Sequence, residues 1–202
     1  MASRRSRRER RRPYSARLVD TREPRERFLI VCEGAKTEPN YFRAFRVPKQ
    51  VTEVIGIGDN TVHIVEEAIR RKSINDFDQV WCVFDRDSFP AEHFNRALNL
   101  ASANNIEVAY SNEAFELWYL LHFNYCDAAI SRRDYTDILT RELGHKYEKN
   151  ARSMYDEILS KQPAALRNAD RLLNSYSPAT PASDNPSTSV HKLVIELNRF
   201  IQ

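Results

Sequence analysis

Continuous apolar runs alternate with stretches of helical periodicity from residue 28 to residue 123. Each run is short and bounded by turn residues, a pattern typical of strands that are covered on both faces. The four runs lie at 28–32, 50–59, 78–85 and 106–111. Because strands alternate with helices, the pattern predicts an α/β fold with a mostly parallel sheet flanked by helices.

The helices between these strands are predicted from their starting residues. The first is expected to begin at Thr37 or the residue before it, with Pro39 in its first turn, where a missing N–H is tolerated. Asn60 is a good N-cap for the second helix, and Pro90 opens the third. A fourth, aromatic-rich helix is predicted over 112–123.

The chain changes character after Phe123. Residues 125–176 are polar and helical in propensity and lack strand-like runs, which predicts two or three appended helices. Residues 177–188 are rich in Pro, Ser, Thr and Asn and are predicted to form a loop. The C-terminal helix is expected to have Asn185 as its N-cap and Pro186 at its first helical position.

The net charge of +3 conceals a strongly basic N-terminus. The chain up to Arg27 holds eleven arginines and four acidic residues, a net +7, whereas the remainder holds 20 basic and 24 acidic residues, a net −4. Such a block of like charges is expected to be disordered when free. We interpret it as a phosphate-binding arm for nucleic acid, with a solubilising tail or a contact with an acidic partner as alternatives. The arginines expected to contact phosphate are Arg4, Arg5, Arg7 and Arg8.

The length and composition favour a folded cytoplasmic protein. No apolar run approaches the roughly 20 residues that span a bilayer, and the charged N-terminus lacks the apolar segment of a secretory signal. Cys32 and Cys82 lie in apolar runs and are interpreted as buried thiols in a reducing compartment. No phosphate-binding glycine loop or Cys/His zinc pattern occurs. The predicted organisation is an Arg-rich arm at 1–26, an α/β core at 27–124, a helical insert at 125–176, and a loop with a C-terminal helix packing on the core at 177–202.

Acidic residues gather where the predicted strands end. Glu33 follows the first strand, Asp59 ends the second, and Asp85 and Asp87 lie at the end of the third. Ligands of parallel sheets bind at the carboxyl ends of the strands. Because residues i and i+2 of a strand point the same way, the two aspartates can reach one point, where their mutual repulsion favours a divalent cation. The alternative is that one aspartate caps the following helix.

Five blocks of the chain resemble, in order, the pattern of a known family. They are the Arg-rich head, LIVCEGAKTEPNYF, VWCVFDRDSF, SNEAFELWYLLHF and NPSTSVHKLV. The glutamate of the second block and the Asp-x-Asp of the third resemble Toprim domains, the metal-binding catalytic modules of topoisomerases, primases and some nucleases. The chain is identified as a member of the RloB family, which is related to the AbiLii abortive-infection proteins. One departure is Glu113, where a proline is expected.

The resemblance implies a Toprim-like core that binds Mg²⁺ or Mn²⁺. Glu33, Asp85 and Asp87 match its catalytic and metal-binding carboxylates, and Mg²⁺ prefers such oxygens together with water and substrate phosphate. Glu116 is expected to reach the same edge and contribute to a second metal, unless it is a surface or core-edge glutamate. Lys36 is expected to neutralise a phosphate oxygen, unless it is simply solvated.

Four further residues are candidates for substrate contact. His122 either touches substrate or is a core-edge histidine satisfied by hydrogen bonds. The other three, Asn185, Thr188 and His191, lie in the last matched block, although capping alone explains Asn185.

The resemblance implies a metal-dependent nuclease that cleaves DNA or RNA as the effector of a bacterial anti-phage system. An ATPase encoded alongside is the expected partner, no membrane partner is expected, and a homo-oligomer is left open. The alternative is a non-catalytic, Toprim-like regulatory subunit of an ATPase-containing complex, in which the carboxylates bind a structural cation. Primase-type phosphoryl transfer is disfavoured because no nucleotide-binding or zinc module occurs.

Overall fold

The chain folds around one five-stranded sheet. The structure is a computed structural model and describes residues 26–47, 52–58, 60–87 and 90–201. The strands are β1 (Phe28–Cys32), β2 (Thr52–Gly56), β3 (Gln79–Asp85), β4 (Glu107–Asn112) and β5 (Ser187–Thr188). Their order is β2-β1-β3-β4-β5, with the first four parallel and β5 antiparallel to β4. The predicted α/β class with a mostly parallel sheet is confirmed.

Both faces of the sheet are covered by helices. The helices that follow the first four strands are α1 (Thr37–Arg43), α2 (Thr61–Ile74), α3 (Ala91–Ala103) and α4 (Glu116–Leu120). Along β1, Phe28 and Ile30 pack in the same core as α1 and α4, whereas Leu29 and Val31 pack with α2 and α3. This double burial explains why the strands are continuous apolar runs rather than alternating ones.

Local signals set most helix boundaries. Asn60 caps α2 as predicted, because its side-chain oxygen accepts a hydrogen bond from the N–H of His63 at 3.2 Å. Pro90 precedes the first residue of α3. The fourth helix is shorter than predicted, because the chain continues as strand through Asn112 and becomes α-helical only at Glu116.

The appended helices lie within the predicted segment. They are α5 (Arg132–Leu143), α6 (Met154–Ile158), a short 3-10 turn (Leu159–Lys161) and α7 (Gln162–Asn174). A capping box starts α5, in which Ser131 and Asp134 exchange hydrogen bonds. Tyr135 and Leu139 of α5 are buried in the same core as α1. The appended helices therefore pack against the face of the sheet that α1 covers.

The predicted start of the C-terminal helix is wrong. Asn185 does not cap it, because α8 begins at Val190 and ends at Asn198. Ser187 and Thr188 instead extend along the edge of the sheet, where they pair with Asn112 and Ser111 of β4. Pairing satisfies backbone groups of an edge that would otherwise be exposed, and this outweighs the local capping signal.

Some predictions fall outside the described residues. They concern the arm, including Arg4, Arg5, Arg7 and Arg8, and Asp59 at the end of the second predicted strand. Within the part that the structure does describe, no helix is long and apolar enough to cross a membrane.

Candidate active site at the carboxyl edge of the sheet

The candidate site lies where two neighbouring strands diverge. β1 and β3 are adjacent and parallel, but the helices that follow them, α1 and α3, pack on opposite faces of the sheet. This divergence opens a crevice at the carboxyl ends of the two strands, the position where open α/β sheets bind their ligands. Glu33 follows β1 and Asp85 ends β3, so both stand at the crevice.

Glu33 and Asp85 are joined directly. The backbone N–H of Asp85 donates a hydrogen bond to Oε2 of Glu33 at 2.9 Å. Burial raises the pKa of Glu33 to about 7, with the negative charges of Asp87 and Glu38 acting in the same direction and the Asp85 N–H opposing it. Glu33 is therefore a carboxyl group that can exchange a proton near neutral pH.

A cation from the appended helices stands beside the two aspartates. Nη2 of Arg132 lies 3.5 Å from Oδ2 of Asp85 and 3.9 Å from Oδ2 of Asp87. The same nitrogen is 3.3 Å from the carbonyl oxygen of Glu113. Burial, followed by the charge of Glu38, raises the pKa of Asp85 well above its ordinary value, and Arg132 only partly opposes this. No pattern in the sequence points to Arg132, which is 47 residues from Asp85 and lies in no matched block.

Glu38 is a further member of the site that the sequence analysis did not identify. It is buried in the first turn of α1, five residues after Glu33. A Cβ atom at Gly34 would collide with its carboxylate, so the glycine makes room for this side chain. Burial and the nearby charge of Glu116 raise the pKa of Glu38. Its position in the helix that directly follows a strand end was the signal that could have revealed it.

Glu116 reaches the same edge, as the resemblance implies. Its side chain is buried at the start of α4. The hydroxyl of Tyr147 donates a hydrogen bond to Oε1 of Glu116 at 3.1 Å, and Nζ of Lys149 lies 4.0 Å from the same oxygen. Glu116 is therefore a buried, hydrogen-bonded carboxylate and not a surface residue, and its contribution to a metal site stays a prediction.

The segment that carries Tyr147 and Lys149 is fixed to α1. The hydroxyl of Thr37 donates a hydrogen bond to the carbonyl oxygen of Lys149 at 2.9 Å. The side-chain amide of Asn40 donates a hydrogen bond to the carbonyl oxygen of Asn150 at 3.0 Å. These bonds hold the segment over the start of the helix that contains Glu38. The appended part of the chain thus supplies one tyrosine and two cations to the carboxylates of the sheet.

The other predicted residues stand in different surroundings. Lys36 is exposed immediately before α1, and its contact with phosphate stays a prediction. His122 is buried, its Nδ1 lies 2.9 Å from the carbonyl oxygen of Trp118, and burial lowers its pKa to about 4. Thr188 donates from its hydroxyl to the carbonyl oxygen of Tyr110 within the sheet. The same burial effect lowers the pKa of His191 to about 4.

The carboxylates fit a divalent cation by their chemistry. Glu33, Asp85 and Asp87 offer hard oxygen ligands. Burial raises the pKa of the first two, and a cation bound beside them would oppose that shift. In this conformation, no three His, Cys, Asp or Glu side chains of the described ranges are arranged to hold a metal ion. The guanidinium of Arg132 partly compensates the negative charge of Asp85 and Asp87. The Mg²⁺ or Mn²⁺ site stays a prediction.

A family model matches most of the chain. The model of a family described as RloB-like protein matches residues 28–197, which include every strand of the sheet and all five carboxylates of the site. No curated protein and no solved structure matches the chain.

Proposed function

The chain belongs to the RloB-like protein family, and from this premise we propose that it is a metal-dependent nuclease that hydrolyses phosphodiesters of DNA or RNA. Family membership indicates a defence-associated protein, and the proposal makes it the effector of an anti-phage system. The observation that carries the proposal is the pairing of Glu33 with Asp85 across adjacent parallel strand ends. This arrangement agrees with the Toprim resemblance.

Two carboxylates are proposed to hold Mg²⁺ or Mn²⁺, with Glu33 beside the ion as an acid/base group. They are Asp85 and Asp87, with Glu116 beside Glu38 as the position of a second ion. A divalent ion bound there supplies Lewis-acid stabilisation of the charge that develops on the phosphoryl group. The positive charge also offsets these partly buried carboxylates, which would otherwise repel an anionic strand.

Glu33 is proposed to accept the proton of the attacking water. The water oxygen bonds to phosphorus while one ester P–O bond breaks, the displaced proton passes to the carboxylate, and the leaving oxygen takes a proton from solvent. A general base works best when its pKa lies near the operating pH, and burial raises the pKa of Glu33 to about 7. The reaction yields one phosphate end and one hydroxyl end.

Arg132 and Lys149 are proposed to contact phosphate oxygens of the substrate. Their side chains are 42% and 60% exposed, so each reaches both the carboxylates and the solvent from which a strand approaches. Arginine and lysine are the usual partners of nucleic-acid phosphates. Lys36 and the arginines of the arm would contact further phosphates of the same strand.

A second candidate function follows from the contact of Arg132 with the two aspartates. A guanidinium that compensates Asp85 and Asp87 without metal is compatible with a non-catalytic subunit that regulates an ATPase partner. In that case the carboxylates serve packing and docking. Calorimetry separates the candidates, because the regulatory subunit binds the ATPase tightly but binds neither Mg²⁺ nor Mn²⁺.

The proposal is tested by cleavage of plasmid, linear DNA and total tRNA with Mg²⁺ or Mn²⁺. The purified protein is assayed with and without the ATPase encoded alongside, next to the Asp85→Asn/Asp87→Asn double variant. Glu107→Gln is the matched control, because this exposed glutamate starts β4 at the opposite edge of the sheet. Cleavage that disappears only in the double variant supports the proposal, and cleavage unaffected by it refutes the proposed site.

A further inference from the structure

A cavity of about 370 Å³ opens onto Asp85 and Asp87 from the side of α2 and α3. Arg132 approaches the same aspartates from α5, whose buried residues belong to the core on the other face of the sheet. Arg132 therefore contacts the two aspartates from one face of the sheet, and the cavity lies on the other face. Sites for small ligands have volumes of roughly 300–1,000 Å³, so the cavity has room for one ligand of small size.

The wall of the cavity carries cationic and hydrogen-bonding groups. Arg86 follows the end of β3, and its Nε donates to the carbonyl oxygen of Ala182 at 2.9 Å, which fixes the direction of its guanidinium. Arg96 lines the wall from α3 and is exposed. His63 and His93 add ring nitrogens near the first turns of α2 and α3. Helix N-termini add partial positive charge to that end of the cavity.

Two further parts of the wall complete its chemistry. Val62 and Phe94 are apolar, and the Phe94 ring is held edge-on against Phe84 and Tyr110 at centroid distances of 5.6 and 5.5 Å. Glu66 adds a carboxylate that can accept hydrogen bonds. The cavity thus combines cations, a rigid apolar edge and a hydrogen-bond acceptor within one volume.

A metal ion at Asp85 and Asp87 does not account for the rest of this wall. Beyond those two aspartates the wall carries two arginines, two histidines and an aromatic edge, whereas Mg²⁺ prefers oxygen ligands. A ligand with an anionic group, a polar ring edge and an apolar face matches these groups.

We propose that this cavity receives one nucleotide unit of the substrate strand, next to the phosphodiester that lies at Asp85 and Asp87. In this arrangement Arg86 and Arg96 contact the phosphate of this nucleotide. Phe94 contacts its base or sugar, and the carboxylate of Glu66 accepts hydrogen bonds from N–H groups of the base. This inference rests on the proposed nuclease function, and it adds a binding site for the flanking nucleotide that is separate from the metal-binding carboxylates.

The test measures binding without cleavage. Anisotropy of a fluorescein-labelled single strand, as DNA and as RNA, is measured in EDTA, together with competition by AMP and GMP. Arg96→Gln is compared with Arg199→Gln, which removes the same charge from an exposed arginine paired with Glu196. The residue Glu196 contacts Gln79 at the start of β3, so this control lies at the opposite edge of the sheet.

We expect Arg96→Gln to weaken strand and mononucleotide binding about tenfold, because one charge-assisted hydrogen bond is lost. The dissociation constants of the Arg199→Gln control should stay within about twofold of the wild-type values. Equal binding by wild type and Arg96→Gln overturns the inference, and so does an equal loss in both variants, which would indicate only net charge.

Cleavage assays keep the two proposals apart. If the wild type cleaves and Arg96→Gln binds and cleaves equally well, the cavity inference fails and the nuclease proposal stands. If no preparation cleaves but binding depends on Arg96, the nuclease proposal fails while the cavity remains a nucleotide site. His93→Gln is a second variant at an exposed wall position, and it should weaken binding in the same direction.

Discussion

Nη2 of Arg132 lies 3.5 Å from Oδ2 of Asp85, so a helix outside the α/β core supplies the positive charge beside the end of β3. Two aspartates one residue apart at a buried strand end repel each other, and a compensating charge is expected there. The structure provides that charge as a guanidinium. A divalent ion at the same carboxylates would compete with it, and this competition can be measured.

Arg132→Gln should lower the dissociation constant for Mn²⁺ by about 1.5- to fivefold. A partly exposed ion pair contributes roughly 0.2–1 kcal/mol, and in the variant the metal no longer has to displace this pair. Nucleic-acid cleavage should fall in the same variant, because Arg132 is proposed to contact phosphate. Calorimetric titration with Mn²⁺ checks the first effect. Arg133→Gln, an exposed neighbour in α5, is the control. Weaker Mn²⁺ binding in Arg132→Gln would contradict the competition.

Glu38→Gln should raise the free energy of unfolding by about 1 kcal/mol in metal-free protein at pH 8, while lowering cleavage. The carboxylate of Glu38 is buried near the charge of Glu116, and its pKa is raised by both, so a neutral isostere removes an unfavourable charge. Urea denaturation measures the change, with Glu107→Gln as the control. A Glu38→Gln variant that is both less stable and fully active would show that Glu38 serves packing alone.

Tyr147→Phe should lower the free energy of unfolding by about 1 kcal/mol, because it removes the hydrogen bond to the buried Glu116. The effect should shrink in a Glu116→Gln background. A double-mutant cycle over these two residues measures the coupling. Strict additivity of the two changes would mean that the hydroxyl and the carboxylate do not interact in solution.

The contribution of His122 to stability should fall as the pH is lowered from 6.5 to 4. Burial lowers its pKa from 6.5 to about 4 in the folded protein. Between these values the unfolded chain binds a proton that the folded chain does not, so the free energy of unfolding rises with pH in this window, by up to about 3 kcal/mol from this residue.

His122→Asn keeps a donor near the carbonyl oxygen of Trp118 but does not titrate, so it should flatten this pH dependence. The measurement is a series of urea denaturation curves across the window. His145→Asn is the control, because burial does not dominate its pKa, which is raised by its hydrogen bond to Glu157. An unchanged pH dependence in His122→Asn would show that His122 is protonated in the folded protein.

The sheet and its acidic edge were predictable because their signals are local. Strand β3 ends at Asp85, and Asn60 caps α2, each for a reason contained in a few neighbouring residues. That Glu33 meets Asp85 depends on β1 and β3 being neighbours in the sheet, which these local signals do not specify.

The cations of the site were not predictable in the same way. Arg132 and Lys149 belong to polar segments without periodicity that points to a partner. They meet the carboxylates only after α5 packs on α4 and the segment of Lys149 bonds to α1. The predicted start of α8 was wrong for a related reason. Asn185 has a good local capping signal, but pairing of Ser187 and Thr188 with β4 outweighs it.

The most direct test of the central claim uses bis(p-nitrophenyl) phosphate, a chromogenic phosphodiester that requires no sequence recognition. Its hydrolysis is followed against Mn²⁺ concentration with wild-type protein, Asp85→Asn and Glu107→Gln. The account predicts Mn²⁺-dependent hydrolysis by wild type and Glu107→Gln that falls to the Mn²⁺-only background in Asp85→Asn. Equal rates in wild type and Asp85→Asn, or no hydrolysis above that background by any of the three proteins, would contradict it.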